Sequence, residues 1–402
     1  MKTYDVRRIQ VKKFRALSLF IAVLFTLTPL VLADGALYTS DEKDKIEQAV
    51  SGLPEMSAES YAVVDAVTGE MLFSENADKR LPIASITKMM TALVVVESVP
   101  DLSSTVTVDA ESCGIEGSSV NLFKGERISV SDLLYALMLE SANDAAVCLA
   151  RYVSGSVEAF AELMNERAVS LGMSNSHFVN PHGLENAEHY STARDMAVLW
   201  QEALRQERLC EIIATKTHKI AFDGQDGYRF LSNHNRLLKN YEFCVGGKTG
   251  FTKSAGRCLV TVCEKDGIRL ITVTLNDPND WDDHRNITEY AFSLYSRTRL
   301  ADVGQLTVNV AVVGGKKDSV TLTNRDALEI SVRDVTKLSS RVEAPRFLYA
   351  PVNNTDEAVG RVVFYYNGKE IATLDLYSID EVEINQVKPG FFKRLWNWIT
   401  GN

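Results

Sequence analysis

The chain is poor in proline, cysteine and histidine, with 9, 6 and 6 respectively in 402 residues. So little Pro, with 23 Gly, excludes collagen-like and low-complexity architectures. Six Cys in so long a chain are too sparse for a disulfide scaffold. The histidines show no metal-ligand spacing, and His182 and His189 lie in loop-like stretches. Structural roles are expected for them, with no metal and no cofactor. Positive charge is not in excess either: 43 Lys+Arg against 53 Asp+Glu give a net charge of −10. That balance excludes a general nucleic-acid binder. What the chain does have is 46% hydrophobic and 24% charged residues, enough apolar surface for two or three packed domains and too much for a disordered chain.

The two ends read differently from the rest. Lys2, Arg7, Arg8, Lys12, Lys13 and Arg15 precede an uncharged apolar stretch from Ala16 to Ala33, closed by the small-residue site Val31-Leu32-Ala33. Residues 1–33 are therefore expected to be a secretory signal peptide, which places the mature protein outside the cytoplasm. Without them the net charge is −15. Anionic lipid would repel such a protein, so membrane attachment needs an apolar device. Residues 389–402 offer one. At about 100° per residue, Phe391, Phe392, Leu395, Trp396, Trp398 and Ile399 share one side, while Lys393, Arg394, Asn397 and Thr400 share the other. An amphipathic helix over 391–399, lying in the headgroups of the outer face of the membrane, is the expectation.

Between the ends, residues 34–299 mix helical and strand patterns. Tyr61–Asp65 and Glu70–Phe73 flank a turn and predict a hairpin. Ile86–Val99 and Leu133–Leu139 are apolar enough for buried helices, the second behind the cap Ser129-x-x-Asp132. Val157–Leu171 predicts an amphipathic helix, and Cys258–Val262 with Ile268–Leu275 a second hairpin. Strands at both ends with helices between give an α+β arrangement. Residues 300–388 are all-β: Leu306, Val308, Val310 and Val312 alternate, and Asn367-Gly368 marks a tight hairpin. A small sandwich-like domain is expected there, with no catalytic constellation, as a spacer above the membrane. Cys258 and Cys263 should face opposite sides of a strand. The cysteines are expected mostly as buried free thiols, with one disulfide left open in an exported protein.

Three short motifs carry chemistry. Ser85-Ile86-Thr87-Lys88 leads into an apolar helix, and a spacing of three puts both side chains on one face. A serine hydroxyl needs a base, and a lysine serves if burial lowers its pKa. Ser141-Ala142-Asn143 follows the second apolar run; a hydroxyl and an amide there can relay a proton and hold a carbonyl. Lys248-Thr249-Gly250, followed by Phe251-Thr252, places a cation beside a strand edge open to an extended substrate. Each motif alone is weak, but their order and placement together are specific.

S-x-x-K, S-D-N and K-T-G mark class A β-lactamases and penicillin-binding proteins. The chain resembles that superfamily, with Ala142 in place of the middle Asp. More closely, it is similar to the serine-type D-alanyl-D-alanine carboxypeptidases, the low-molecular-mass penicillin-binding proteins. Arg80–Ala92, Asn180-Pro-His-Gly-Leu184, His189–Asp195 and Lys248–Gly256 carry the resemblance, as do the C-terminal β domain and the terminal amphipathic segment. The resemblance implies a fold: an antiparallel sheet with helices on both sides and a helical lobe, followed by the β domain. It also implies an activity: removal of the terminal D-alanine from peptidoglycan stem pentapeptides through a Ser85 acyl-enzyme, with β-lactams as inhibitors. Lys88 is the implied base. Ser141 and Lys248 relay the proton, Asn143 holds the acyl-side amide, and Thr249 and Thr252 hold the carboxylate. Gly250 opens the strand, and the Ser85 and Phe251 N–H groups form the oxyanion hole. Two departures stand out. Phe251 occupies a position where His is common, and His234 replaces an Arg, with Arg236 two residues later. A β-lactamase is disfavoured because no Glu-x-x-Leu-Asn occurs. An inactive wall-binding scaffold is disfavoured because the catalytic residues are intact. A transpeptidase differs only in the acceptor.

Overall fold

The computed structural model describes residues 52–222, 226–353 and 356–385. Residues 1–33 and 389–402, read above as signal and anchor segments, lie outside the described residues. Among those described, no helix is long and apolar enough to cross a membrane.

A five-stranded antiparallel sheet organises the first domain, with order β2-β1-β9-β8-β7. Its strands are β1 (Ser60–Asp65), β2 (Met71–Glu75), β7 (Cys244–Thr252), β8 (Gly256–Lys265) and β9 (Ile268–Leu275). Two small hairpins, β3 (Thr105–Thr107) with β4 (Arg127–Ser129) and β5 (Thr217–Ala221) with β6 (Tyr228–Ser232), belong to the lobe. The β8–β9 turn is Asp266-Gly267, both at positive φ (51° and 78°), as a two-residue hairpin of this twist requires.

The helical lobe comprises α1 (Lys88–Ser98), α2 (Val130–Leu139), α3 (Asn143–Ser154), α4 (Val157–Ser170), α5 (Ala193–Ala203) and α6 (Glu207–Ala214). Helix α1 is apolar on every side and buried from Lys88 to Val95, so it forms the centre of the lobe. Ser129 caps α2, its side chain accepting from the Asp132 N–H as the spacing predicts. The lobe and one sheet face share a core that includes Met89, Leu93, Leu134, Trp200 and Val260. The short α7 (Leu237–Asn240) and α8 (Asp280–Ser293) close the other face around Val63, Leu259, Leu270 and Ile287. Helices thus cover both sides of the sheet.

The expected helix from Ile86 starts later. Ala84–Thr87 form a 3₁₀ turn and the α-helix begins at Lys88. Ala84 sits at φ +46°, a conformation that no α-helix residue can hold.

The second domain begins with β10 (Ser296–Ala301), which pairs with β13 (Leu328–Val332). A six-stranded sheet has order β14-β16-β17-β12-β11-β15. Its strands are β11 (Thr307–Val313), β12 (Ser319–Asn324), β14 (Leu338–Glu343), β15 (Phe347–Tyr349), β16 (Gly360–Tyr366) and β17 (Lys369–Ser378). Val310, Leu322, Phe364 and Leu376 are central to its core. Asn367-Gly368 makes the β16–β17 turn, again at positive φ (49° and 78°).

Candidate active site

The strained turn at Ala84 lifts Ser85 out of α1 and toward the free edge of β7. Gly250 lies against it: a Cβ built on Gly250 would come 3.0 Å from the Ser85 N and 3.2 Å from the Ala84 Cβ. Any larger residue would push the strand away from the serine.

Strand β7 is the sheet's edge, and the ladder decides which of its polar groups face outward. The Arg257 carbonyl accepts from the Asp277 N–H, so the polar groups of Arg257 point away from β7. Phe251 is its partner in the ladder. The Phe251 N–H and C=O therefore face the open edge, and so do those of Thr249 two residues earlier.

Lys88 is the centre of the site. Its Nζ lies 2.8 Å from Ser85 Oγ, 2.8 Å from Asn143 Oδ1 and 2.8 Å from the His182 carbonyl. The amide orientation of Asn143 is fixed by chemistry, since its Nδ2 donates to the Glu116 carbonyl at 2.6 Å. Burial pushes the Lys88 pKa well below the usual lysine value, and Lys248 adds like-charge repulsion; Asp144 opposes both. A neutral amine has two N–H groups and one lone pair. Asn143 Oδ1 and the His182 carbonyl can only accept, so they take the two N–H groups. The lone pair is left to the Ser85 hydroxyl.

Lys248 is equally buried, and burial lowers its pKa to about 7. Its Nζ donates to the Thr249 carbonyl at 2.9 Å. Ser141 joins α2 to α3 at φ +59° and is buried. Asn143 opens α3, and its N–H donates to the Ser118 carbonyl at 2.7 Å. Asp144, buried beside it, accepts from the Ser119 hydroxyl and from the N–H groups of Val120 and Leu122. It thereby fixes the loop whose carbonyls hold Asn143.

Ser85, Lys88 and Asn143 are thus joined by hydrogen bonds, with Lys248 close enough to repel Lys88 and Gly250 against the serine. Thr252 is less free than expected, because its hydroxyl pairs with Ser254 and accepts from the Ala255 N–H. Asn143 keeps one N–H for a substrate. His234 pairs with Glu140 Oε2 at 3.2 Å, next to Ser141, while Arg236 lies over the Trp281 ring.

The wall behind Lys88 was not legible as functional. It is the turn Asn180–Leu184. Asn180 Oδ1 accepts from the Gly183 N–H at 2.7 Å and aims the His182 carbonyl inward. Gly183, at φ +84°, passes so close that a Cβ there would sit 1.9 Å from the Ala84 carbonyl. Burial and Lys88 lower the His182 pKa to about 3, so it is neutral. His189 is lowered to about 4, mainly by burial. Its Nδ1 accepts from the Val179 N–H, so Nε2 carries the proton and donates to Thr87. Both rings pack in the wall beside Lys88. The asparagine-proline start and the glycine were the available signal for such a turn. Among the described residues, no cluster of His, Cys, Asp or Glu could hold a metal.

Known proteins are similar to this chain in sequence and fold. Residues 46–279 match the family model described as D-alanyl-D-alanine carboxypeptidase. Residues 295–384 match that of the penicillin-binding protein 5 C-terminal domain. D-alanyl-D-alanine carboxypeptidase DacC of Escherichia coli is 33% identical over 371 residues, covering 88% of this chain and 90% of the relative. DacF of Bacillus subtilis is 30% identical over 360 residues, covering 87% and 90%. The crystal structure of penicillin binding protein 5 from Haemophilus influenzae superposes with a TM-score of 0.59 at 29% identity, covering 83% of this chain and 99% of that one. With a serine–lysine pair in the cleft, both domains matched and nearly the full length aligned, this chain belongs to the D-alanyl-D-alanine carboxypeptidase family of penicillin-binding proteins.

Proposed function

We propose that the chain removes the terminal D-alanine from peptidoglycan stem pentapeptides through an acyl-enzyme on Ser85. The observation that carries this is the buried Lys88 Nζ 2.8 Å from Ser85 Oγ, with Asn143 Oδ1 and the His182 carbonyl as its other partners. Ser85 gives its proton to Lys88 as Oγ attacks the carbonyl between the two D-alanines. The substrate lies along the free edge of β7. The Ser85 and Phe251 N–H groups receive the oxyanion, and losing one such donor typically costs roughly 3 kcal/mol. The amine of the departing D-alanine takes the proton back, with Ser141 and Lys248 as the relay. Asn143 offers its remaining N–H to the acyl side, and Thr249 and Thr252 hold the terminal carboxylate, the Thr252 hydroxyl exchanging its Ser254 partner for it. Water then frees the shortened peptide. A β-lactam acylates Ser85 by the same route and leaves slowly.

The β-lactamase alternative needs a carboxylate that activates the deacylating water. Asp144 is committed to backbone N–H groups, and Glu185 accepts from the Ser254 N–H. Neither is free for that role. Export through residues 1–33, attachment to the outer membrane face through residues 391–399, and a spacer role for the β domain complete the proposal. They are supported by the sequence pattern alone.

The test is mass spectrometry of the intact protein after penicillin, together with D-alanine release from a synthetic pentapeptide. One adduct per chain, mapped to Ser85, is expected. Ser85→Ala should lose both the adduct and the release. A labelled Ser85→Ala protein would refute the assignment.

A further inference from the structure

Two cysteines at the root of β7 have no part in the chemistry above. Cys244 and Cys263 are direct partners across the β7–β8 ladder. The Glu264 N–H donates to the Phe243 carbonyl at 2.7 Å, a bond that flanks the pair and makes it a non-hydrogen-bonded one. In such narrow pairs the Cα atoms are about 4.5 Å apart, inside the roughly 4.4–6.8 Å that a disulfide spans. Partners directly opposite share a face, and both sulfurs lie in the core under α8 with Leu259, Ile287 and Ala291. Each thiol shifts the other, Cys244 below its ordinary pKa and Cys263 above it. Cys244 Sγ also donates to the Gly246 carbonyl at 3.4 Å and accepts from Asn235 Nδ2 at 3.6 Å. No other pair is so placed among the described residues. Cys258 faces Gly250 in the same ladder, while Cys113 and Cys210 donate to the carbonyls of Asp109 and Leu204. Cys148 lies within α3.

We propose that Cys244 and Cys263 are a redox site that takes a disulfide oxidant of the glutathione class and closes into a cross-strand disulfide. The Cys244 thiolate attacks one sulfur of the oxidant, forming a mixed disulfide and releasing one thiolate. Cys263 passes its proton to that thiolate and attacks the Cys244 sulfur, expelling the second. That thiolate takes up the proton Cys244 had lost. Two protein thiols are oxidised and one small disulfide is reduced to two thiols, so the exchange balances. Both sulfurs are buried, so exchange proceeds while the ladder is open. The product pins β7 to β8 beside the bulge at Val245, three residues before Lys248.

The test uses the full chain, refolded from urea in mixtures of reduced and oxidised glutathione, then acid-quenched, alkylated and digested. The expected result is a linked pair of peptides containing Cys244 and Cys263, two hydrogens lighter than the separate thiols, with the other four cysteines alkylated. The melting temperature should fall on reduction, and this redox-dependent shift should vanish in Cys244→Ala; Cys263→Ala serves as the same control if that variant does not fold. The mapping needs no variant. Recovery of both cysteines alkylated at every glutathione ratio, or either linked to a different cysteine, would overturn the proposal. Neither readout depends on carboxypeptidase activity.

Discussion

The catalytic cleft and the C-terminal β domain place charge in opposite ways. In the cleft, Lys88 and Lys248 are among the largest fully buried side chains of the protein. Around them Ala84, Ser141 and Gly183 hold positive φ angles. In the β domain, the side chains of Lys316, Lys317 and Arg361 remain 58%, 54% and 52% exposed and pair with Glu383, Asp380 and Glu343 at the surface. Its buried polar residues, among those described, are Thr323, Asn324 and Ser378. Burying a charged group is costly unless the group is neutralised or paired. The proposed acyl transfer gives that cost a reason, since it needs a lysine that is a base near neutral pH. The β domain keeps these charges in water. The two regions meet through ordinary contacts: Glu70 accepts from Arg333 and Lys337, and the Ser331 hydroxyl donates to the Asp266 carbonyl.

Replacing Lys88 by Met should break the contrast most sharply. Losing a general base typically costs about 10²–10⁴-fold, read as the rate of Ser85 acylation by penicillin. The urea midpoint should fall only modestly, because Asn143 Oδ1 and the His182 carbonyl lose a donor while a buried amine is removed. Next in size is Glu126→Ala. Glu126 and Arg229 form an ion pair that is almost wholly buried, with side chains 1% and 9% exposed. Arg229 keeps its bonds to the Val120 and Asn121 carbonyls but loses its carboxylate, which should cost up to about 3 kcal/mol in urea unfolding and loosen the loop that holds Asn143.

The Lys248→Gln change probes the electrostatics. Lys88 acts as a base only when neutral, so acylation must rise with pH through its pKa. Repulsion by Lys248 helps depress that pKa. Removing the repulsion should move the acid limb of the penicillin acylation profile to higher pH; an unmoved limb would mean that burial alone sets it. At the small end, Glu383→Ala in the β domain should change stability by less than about 1 kcal/mol and leave turnover of a soluble peptide unchanged.

Much of this was legible in the sequence because it rests on local rules. The Ser129 cap, the Asp266-Gly267 and Asn367-Gly368 turns and the alternation of Leu306 to Val312 follow from neighbours a few residues apart. The Ser85–Lys88 contact is local too. It survived an error in where the helix starts, because a spacing of three brings both side chains to one side in a 3₁₀ turn as well. The role of the Asn180–Leu184 turn was not legible. A backbone carbonyl leaves no trace in side-chain identity, and His182 serves through its carbonyl. The engaged Thr252 hydroxyl was missed for a similar reason, since its partners are a backbone N–H and a neighbouring serine.

The amino-acid order alone determined which residues could do chemistry and where strands, helices and turns fall, because those depend on side-chain type and short-range geometry. The folded chain decided the protonation of Lys88. That depends on burial, on a second lysine across the cleft and on Asp144, which opposes both, while the hydrogen-bond partners Asn143 and His182 come from 55 and 94 residues away. Folding also decided that Cys244 meets Cys263. Electrostatics and contact act through space, and only the packed structure sets distances in space.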